Sequence, residues 1–305
     1  MDIKGQRRSS KFEDRGTGRG GGGGFPINAL FSVVRLFGFK GAAVVALLGA
    51  GLFFLAPAGV KHALLRAMSG DSQASAPSAS GTGSACESSP TNGEACDFSR
   101  AVLASTEDVW RAQFQQGTLP SYGSDRVPYQ EPTLVVFSEA VATDRCGNAT
   151  SAMGPFYCPG DRKLYIDPTF YEVMEKRLKA PGDFAQAYVI AHEVGHHIQN
   201  LIGSTHLQPA GETKNQVSVR VELQADCLAG VWGQSAKLAL KINADDLKEA
   251  VNAAHAIGDD ALGNSNASDY THGSSAQRIR WFRRGFDAGD PRQCDTFAVS
   301  SYAEL

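Results

Sequence analysis

Apolar residues are spaced very differently in successive parts of this chain. Residues 1–24 (MDIKGQRRSSKFEDRGTGRGGGGG) are polar, basic and glycine-rich. Such a composition buries too little apolar surface to offset its ordering entropy, so a disordered tail is expected there. Phe25–Phe39 is an apolar stretch interrupted by Arg35, and Gly41–Val60 then runs twenty residues without a charge. A helix of about 20 apolar residues crosses a hydrocarbon core of roughly 30 Å, so residues 25–60 are expected to be an anchor region with its span at about 41–60. Residues 61–95 follow, and from Ser69 they are rich in Ser, Ala, Gly and Pro, the composition of a flexible tether.

Periodic patterning predicts a folded domain over 96–305. Val102, Leu103, Val109, Trp110 and Phe114 recur close to helical spacing. The run from Thr133 to Val141 (TLVVFSEAV) predicts a strand, and PFYCPGDRKLYIDP from Pro155 predicts a hairpin around its Pro-Gly-Asp turn. Helices are expected at about 170–180, 184–202, 216–241, 244–262 and 274–287. The fold class is therefore α+β, mostly helical with a small sheet and preceded by one transmembrane helix.

Charge and cysteine usage refine this picture. The net charge is -3 with both signs intermixed, which gives no field to recruit nucleic acid. A cleaved signal peptide is the alternative to an anchor, but the apolar run is long and lies far from the start. Basic residues are dense before it, from Lys4 to Lys40, and only Lys61 and Arg66 follow closely, so the tail is expected in the cytoplasm and the domain outside it. All six cysteines lie beyond the span, as an oxidising compartment would allow. Cys86 with Cys96 and Cys146 with Cys158 would close short loops, leaving Cys227 for Cys294, one of fifteen pairings that six cysteines permit.

The chemistry lies in AHEVGHHIQN, Ala191–Asn200. On a helix, His192 and His196 share a face and can present imidazole nitrogens to one zinc ion, while Glu193 is turned so that it reaches a water at the metal. By chance alone the motif appears in on the order of one shuffled chain in a hundred, so its flanks matter. FAQAYVIA before it supplies a buried face through Phe184, Tyr188, Val189 and Ile190. Gly195 inside the motif suggests a close approach, and His197 points off the ligand face toward a supporting or structural role. Gln199 and Ile202 stand where the extended metzincin pattern needs Gly and His, so the third ligand must come from elsewhere. SVRVELQADCLAGVW offers Glu222 as that ligand, with Asp226 one turn later to accept the other ring N–H of a ligand histidine.

These segments, with IGDDAL and THGSSAQRIRWFRRGF, resemble the predicted neutral zinc metallopeptidase family of bacteria, single-span membrane proteins; KFEDRG is similar to that family's tail. The arrangement H-E-x-x-H followed by E-x-x-x-D also resembles gluzincins, including the Ste24-like membrane peptidases. The resemblance implies one Zn2+ per chain held by His192, His196 and Glu222, Glu193 as base, and Asp226 behind the ligands. In the Ste24-like group a His-Pro segment with a downstream Arg precedes the last helix, which implies roles for His272 and Arg278, although Gly273 replaces the proline. Either side chain could stabilise an oxyanion; alternatively His272 caps a helix and Arg278 pairs with an acid. Asp259 and Asp260 read as a helix-end turn.

The expectation is thus a membrane-anchored zinc endopeptidase with a peptide or protein substrate, its domain outside the inner membrane, the substrate adding to an edge strand at Thr133–Val141. The rival is a non-catalytic, zinc-stabilised binding or scaffold protein, whose metal would be closed by a fourth protein ligand. Oligomeric state is not legible.

Overall fold

The computed structural model describes residues 1–17, 83–120, 122 and 127–305. The expected span at Gly41–Val60 lies outside these residues, and no described helix is long and apolar enough to cross a membrane.

Six strands are described: β1 (Phe12–Thr17), β2 (Thr133–Ser138), β3 (Ala140–Ala142), β4 (Asn148–Thr150), β5 (Phe156–Cys158) and β6 (Lys163–Ile166). Four form a sheet in the order β1-β2-β6-β5, and β3 with β4 makes a separate ribbon. β2 is parallel to both β1 and β6, so it is an interior strand. Its unbroken apolar run follows from burial on both faces. Leu134 and Val136 join the main core with the helices, while Val135 and Phe137 join a smaller cluster with Val141, Ala149, Cys158 and Tyr165. The expected hairpin is present, with β5 antiparallel to β6 in the register Tyr157↔Leu164. That places β5, rather than Thr133–Val141, at the edge of the sheet, because β2 has a hydrogen-bonded neighbour on each side.

Residues 1–17 depart from the disordered tail that composition suggests. β1 pairs with β2 in the register Phe12↔Leu134, Glu13↔Val135 and Asp14↔Val136. The polar side chains of this segment find partners far away in sequence: Arg7 meets Glu107 at 2.7 Å, Arg8 reaches both oxygens of Asp97 through Nε and one terminal nitrogen, and Lys163 meets Glu13 at 2.7 Å. Order here comes from main-chain pairing and distant carboxylates, neither of which local composition reveals. The domain also starts again well before residue 96. Pro90 opens helix α1 (Pro90–Gln116), with the Ser89 hydroxyl accepting the Asn92 N–H at 3.1 Å, a cap that the Ser/Pro-rich tether reading overlooks.

The remaining helices are α2 (Phe170–Lys176), α3 (Asp183–Ile202), α4 (Lys214–Ala236), α5 (Ala244–Ala256) and α6 (Ser275–Ala288). Helix α3 is buried along most of its length and ends at Gly203, whose φ of +82° suits a residue without Cβ. Helices α4 and α6 each start with a capping box, Thr213 with Gln216 and Ser274 with Gln277. They cross in backbone contact at glycines: a Cβ on Gly285 would strike the Cys227 carbonyl, and one on Gly230 would strike that of Phe282. The disulfides are Cys86–Cys96, Cys146–Cys158 and Cys227–Cys294, the pairing that loop lengths suggest, and the last ties α4 to the C-terminal segment.

Candidate metal centre

His192 and His196 lie one turn apart on α3 and face α4. Gly195 explains how the two helices come so close, since a Cβ there would sit 3.0 Å from the Ala225 carbonyl oxygen and 3.1 Å from its Cα. Ala225 lies between Glu222 and Asp226, so this contact sets both carboxylates against the two imidazoles. His192 Nε2 is 3.2 Å from Glu222 Oε2, and His196 Nε2 is 3.5 Å from Glu222 Oε1. Donors around a tetrahedral zinc at ~2.0–2.1 Å are separated by about 3.3 Å, so these spacings fit a shared cation. One donor atom from each residue lies within 4.8 Å of the others, and among the described residues no fourth His, Cys or carboxylate joins this group. A second acidic group, Asp183, Asp246 and Glu249, contains no imidazole, and the Met1 amino group is 3.0 Å from Asp183 and 2.6 Å from Asp246.

Each histidine is held through its other nitrogen. His192 Nδ1 donates to Asp226 Oδ1 at 2.8 Å, and His196 Nδ1 donates to Gln199 Oε1 at 2.8 Å, which turns both Nε2 lone pairs toward Glu222. Asp226 is fully buried and accepts two further groups: the Tyr188 hydroxyl at 2.5 Å and the Arg278 guanidinium, through Nε and one terminal nitrogen, both at 2.9 Å. Burial alone would raise the Asp226 carboxyl; Arg278 and His192 hold it below its usual value. Burial likewise opposes charge on Glu222, and the His196 and His192 imidazoles offset it and keep that carboxyl low. Arg278 therefore pairs with an acid behind the ligands and is only 2% exposed, too enclosed to face a substrate. Sequence reasoning reads Gln199 only as a residue that excludes the metzincin pattern and Tyr188 only as part of a buried face, and gives neither a part in holding the imidazoles. Their positions three after His196 and four before His192, on the same helical face, are the signal that could have found them.

Glu193 is half-buried, and burial pushes its carboxyl up to about 7; the His192 charge opposes the shift, that of Glu222 adds to it, and the Tyr157 backbone N–H opposes it. A divalent cation beside it would draw the value back down. Strand β5 lies along this side of α3. The Tyr157 hydroxyl meets His197 Nδ1 at 3.0 Å and accepts from Asn200 Nδ2 at 3.0 Å, while His197 Nε2 donates to the Gln130 carbonyl at 2.6 Å. His197 is thus a fully buried structural residue that docks β5 onto α3, and burial lowers its pKa to about 4. His192 is 7% exposed, whereas the side chains of His196 and Glu222 keep 18% and 15% exposure, so the centre opens on one side. There a cavity of about 400 Å³ is lined by Tyr157, Pro159, His196, Asn200, Thr205 and His206.

His272 stands on a loop that Asp259 organises. One Asp259 oxygen accepts the backbone N–H groups of Thr271, His272 and Gly273 at 2.8, 2.7 and 3.0 Å, and Asp260 accepts those of Ser275 through its backbone and hydroxyl at 2.7 Å. The pair forms the expected turn after α5 and, in addition, anchors the start of α6. The His272 ring is half-exposed, with Nδ1 3.0 Å from the Thr271 hydroxyl and 3.4 Å from Asp259, and none of its hydrogen bonds goes to the metal-site residues. Gly273 has φ +90°, which proline cannot adopt, so the segment is not a His-Pro turn with one residue exchanged. The loop nevertheless leans on α4 beside Glu222, since a Cβ on Gly273 would meet Val219 at 3.2 Å and Leu223 at 3.4 Å.

Residues 1–297 match the family described as "Putative neutral zinc metallopeptidase". The chain is 49% identical over 223 residues to Uncharacterized protein YpfJ of Escherichia coli, covering 70% of this chain and 75% of that one. It is 41% identical over 189 residues to Uncharacterized protein Rv2575 of Mycobacterium tuberculosis, covering 56% and 64%. No solved structure matches. With its two histidines, its distant glutamate and a match that runs through the N-terminal strand to the C-terminal segment, the chain belongs to the neutral zinc metallopeptidase family.

Proposed function

We propose that this protein is a zinc-dependent endopeptidase, anchored to a membrane, whose domain works in an oxidising extracytoplasmic compartment. The observation that carries the reading is the half-open donor triad of His192, His196 and Glu222, with Glu193 beside it and no fourth protein ligand among the described residues. A structural zinc is closed by four protein ligands, so the openness favours catalysis over the scaffold reading. The three disulfides support the compartment.

His192, His196 and Glu222 would hold the zinc, which when bound supplies Lewis-acid polarisation of a carbonyl and makes a water more acidic. Glu193, one residue after the first ligand, takes the proton from the attacking water and returns it to the leaving amine. Asp226 and Gln199 keep the imidazoles in the tautomer that ligation needs. The outer edge of β5 receives the extended substrate backbone, and the cavity between Tyr157, Pro159 and His206 takes one of its side chains. His272, on the loop clamped by Asp259, donates to the oxyanion.

The test compares wild type with Glu193→Gln in the full-length, detergent-solubilised protein, measuring zinc by mass spectrometry and cleavage against a proteome-derived peptide library. Zinc is expected near one per chain in both, with cleavage only in wild type. Equal cleavage by the variant removes Glu193 from its role, and absence of cleavage by zinc-loaded wild type favours the scaffold.

A further inference from the structure

The two flanks of residues 18–82 meet each other. The Thr17 N–H donates to the Gly83 carbonyl at 3.1 Å. Asp14, inside β1, accepts the Ser84 hydroxyl at 2.6 Å and the backbone N–H groups of Ala85 and Cys86 at 2.9 and 3.1 Å. The strand before the segment is thereby clamped to the first residues after it, and its register with β2 fixes the strand in the sheet. A helix that crossed roughly 30 Å of hydrocarbon once would leave Thr17 and Gly83 on opposite sides of the membrane. Atoms so separated cannot share a hydrogen bond.

We propose that the N-terminal strand and the metal centre share one compartment, so that residues 1–17 lie on the same side of the membrane as the rest of the described domain. The proposal departs from the cytoplasmic N-terminus expected from the sequence. The arginines that argued for a cytoplasmic N-terminus have another use: Arg7 pairs with Glu107, Arg8 with Asp97 and Arg15 with Asp144 inside the fold. The inference does not depend on peptidase activity, since it rests on the β1 clamp alone.

The experiment uses the full chain in intact spheroplasts of the expressing bacterium. Lys4→Cys and Leu238→Cys each introduce one free thiol at an exposed position, Leu238 being 93% exposed, against native cysteines that are all paired. With a membrane-impermeant maleimide, both variants are expected to label before permeabilisation and to equal extents. A second measurement needs no variant: an impermeant amine-reactive ester on wild type, read by mass spectrometry, is expected to modify exposed Lys4 and Lys248 together. Labelling of one position before and the other only after permeabilisation overturns the proposal. Release of the chain by alkaline carbonate also overturns it, since then no anchor exists.

Discussion

Replacing Arg278 by Met separates a supporting role from a direct catalytic one. Arg278 is 2% exposed and Asp226 0%, and two of the polar contacts to Asp226 come from this guanidinium. Breaking a buried ion pair from one side costs about 3–5 kcal/mol, because the remaining charge is left without its partner. Here Asp226 keeps the Tyr188 hydroxyl at 2.5 Å and the His192 N–H at 2.8 Å, which places the loss near the lower end, about 3 kcal/mol. For a domain of this size that is a fall in melting temperature of roughly 6–12 °C, read by thermal unfolding of chelator-treated protein. His192 remains oriented by Asp226, so zinc affinity, measured by competition with a chromophoric chelator, is expected to weaken only about tenfold. With zinc saturating, cleavage is expected to stay within about threefold of wild type. An oxyanion donor behaves differently, since its removal lowers kcat by about 10²–10³. A fall of that size at full zinc occupancy, with stability and affinity unchanged, would refute the assignment.

Other perturbations probe separate parts of the fold. Gln199→Leu removes the acceptor of the His196 N–H and should weaken zinc binding about 10- to 100-fold in chelator competition, with helix content by circular dichroism unchanged. Gly285→Ala drives a methyl into the Cys227 carbonyl where α4 and α6 cross, so a loss of about 3 kcal/mol or more is expected in thermal unfolding, far beyond an exposed Gly→Ala change such as at Gly83. Replacing both Cys227 and Cys294 by Ala opens a loop with a sequence separation of 67 and should cost about 4 kcal/mol by chain entropy, against about 3 kcal/mol for Cys86 with Cys96 at a separation of 10. Asp259→Ala leaves three backbone N–H groups of the 271–273 loop without their acceptor; a drop in cleavage that exceeds the drop in zinc affinity is expected if His272 touches substrate, and equal drops would confine Asp259 to stability.

What the sequence disclosed follows the range of the forces involved. That His192 and His196 share a face was legible because i, i+4 spacing is local, and that Glu222 and Asp226 meet them because two acids among apolar neighbours need partners. Helices α3, α5 and α6 fall close to their expected starts for the same reason, being carried by periodicity and caps. The contacts that a local pattern cannot carry were not visible. Arg278 meets Asp226 only because glycines bring α4 and α6 into backbone contact, and β1 is ordered by a strand more than a hundred residues away. The edge strand was misplaced on β2 because an apolar run shows that a strand is buried, not which neighbours bury it.

The cleft has two banks of unequal stiffness. On one, His192, His196 and Glu222 all rise from the crossing of α3 and α4, where the main chains approach at Gly195 and an added Cβ would press on Ala225. On the other lie a three-residue strand, the turn at Thr205 and His206, and the residues around Pro159, none of which supplies a donor to the triad. For the proposed peptidase, shifts in the sequences selected should be sought on that second bank, where variation leaves the donor triad in place.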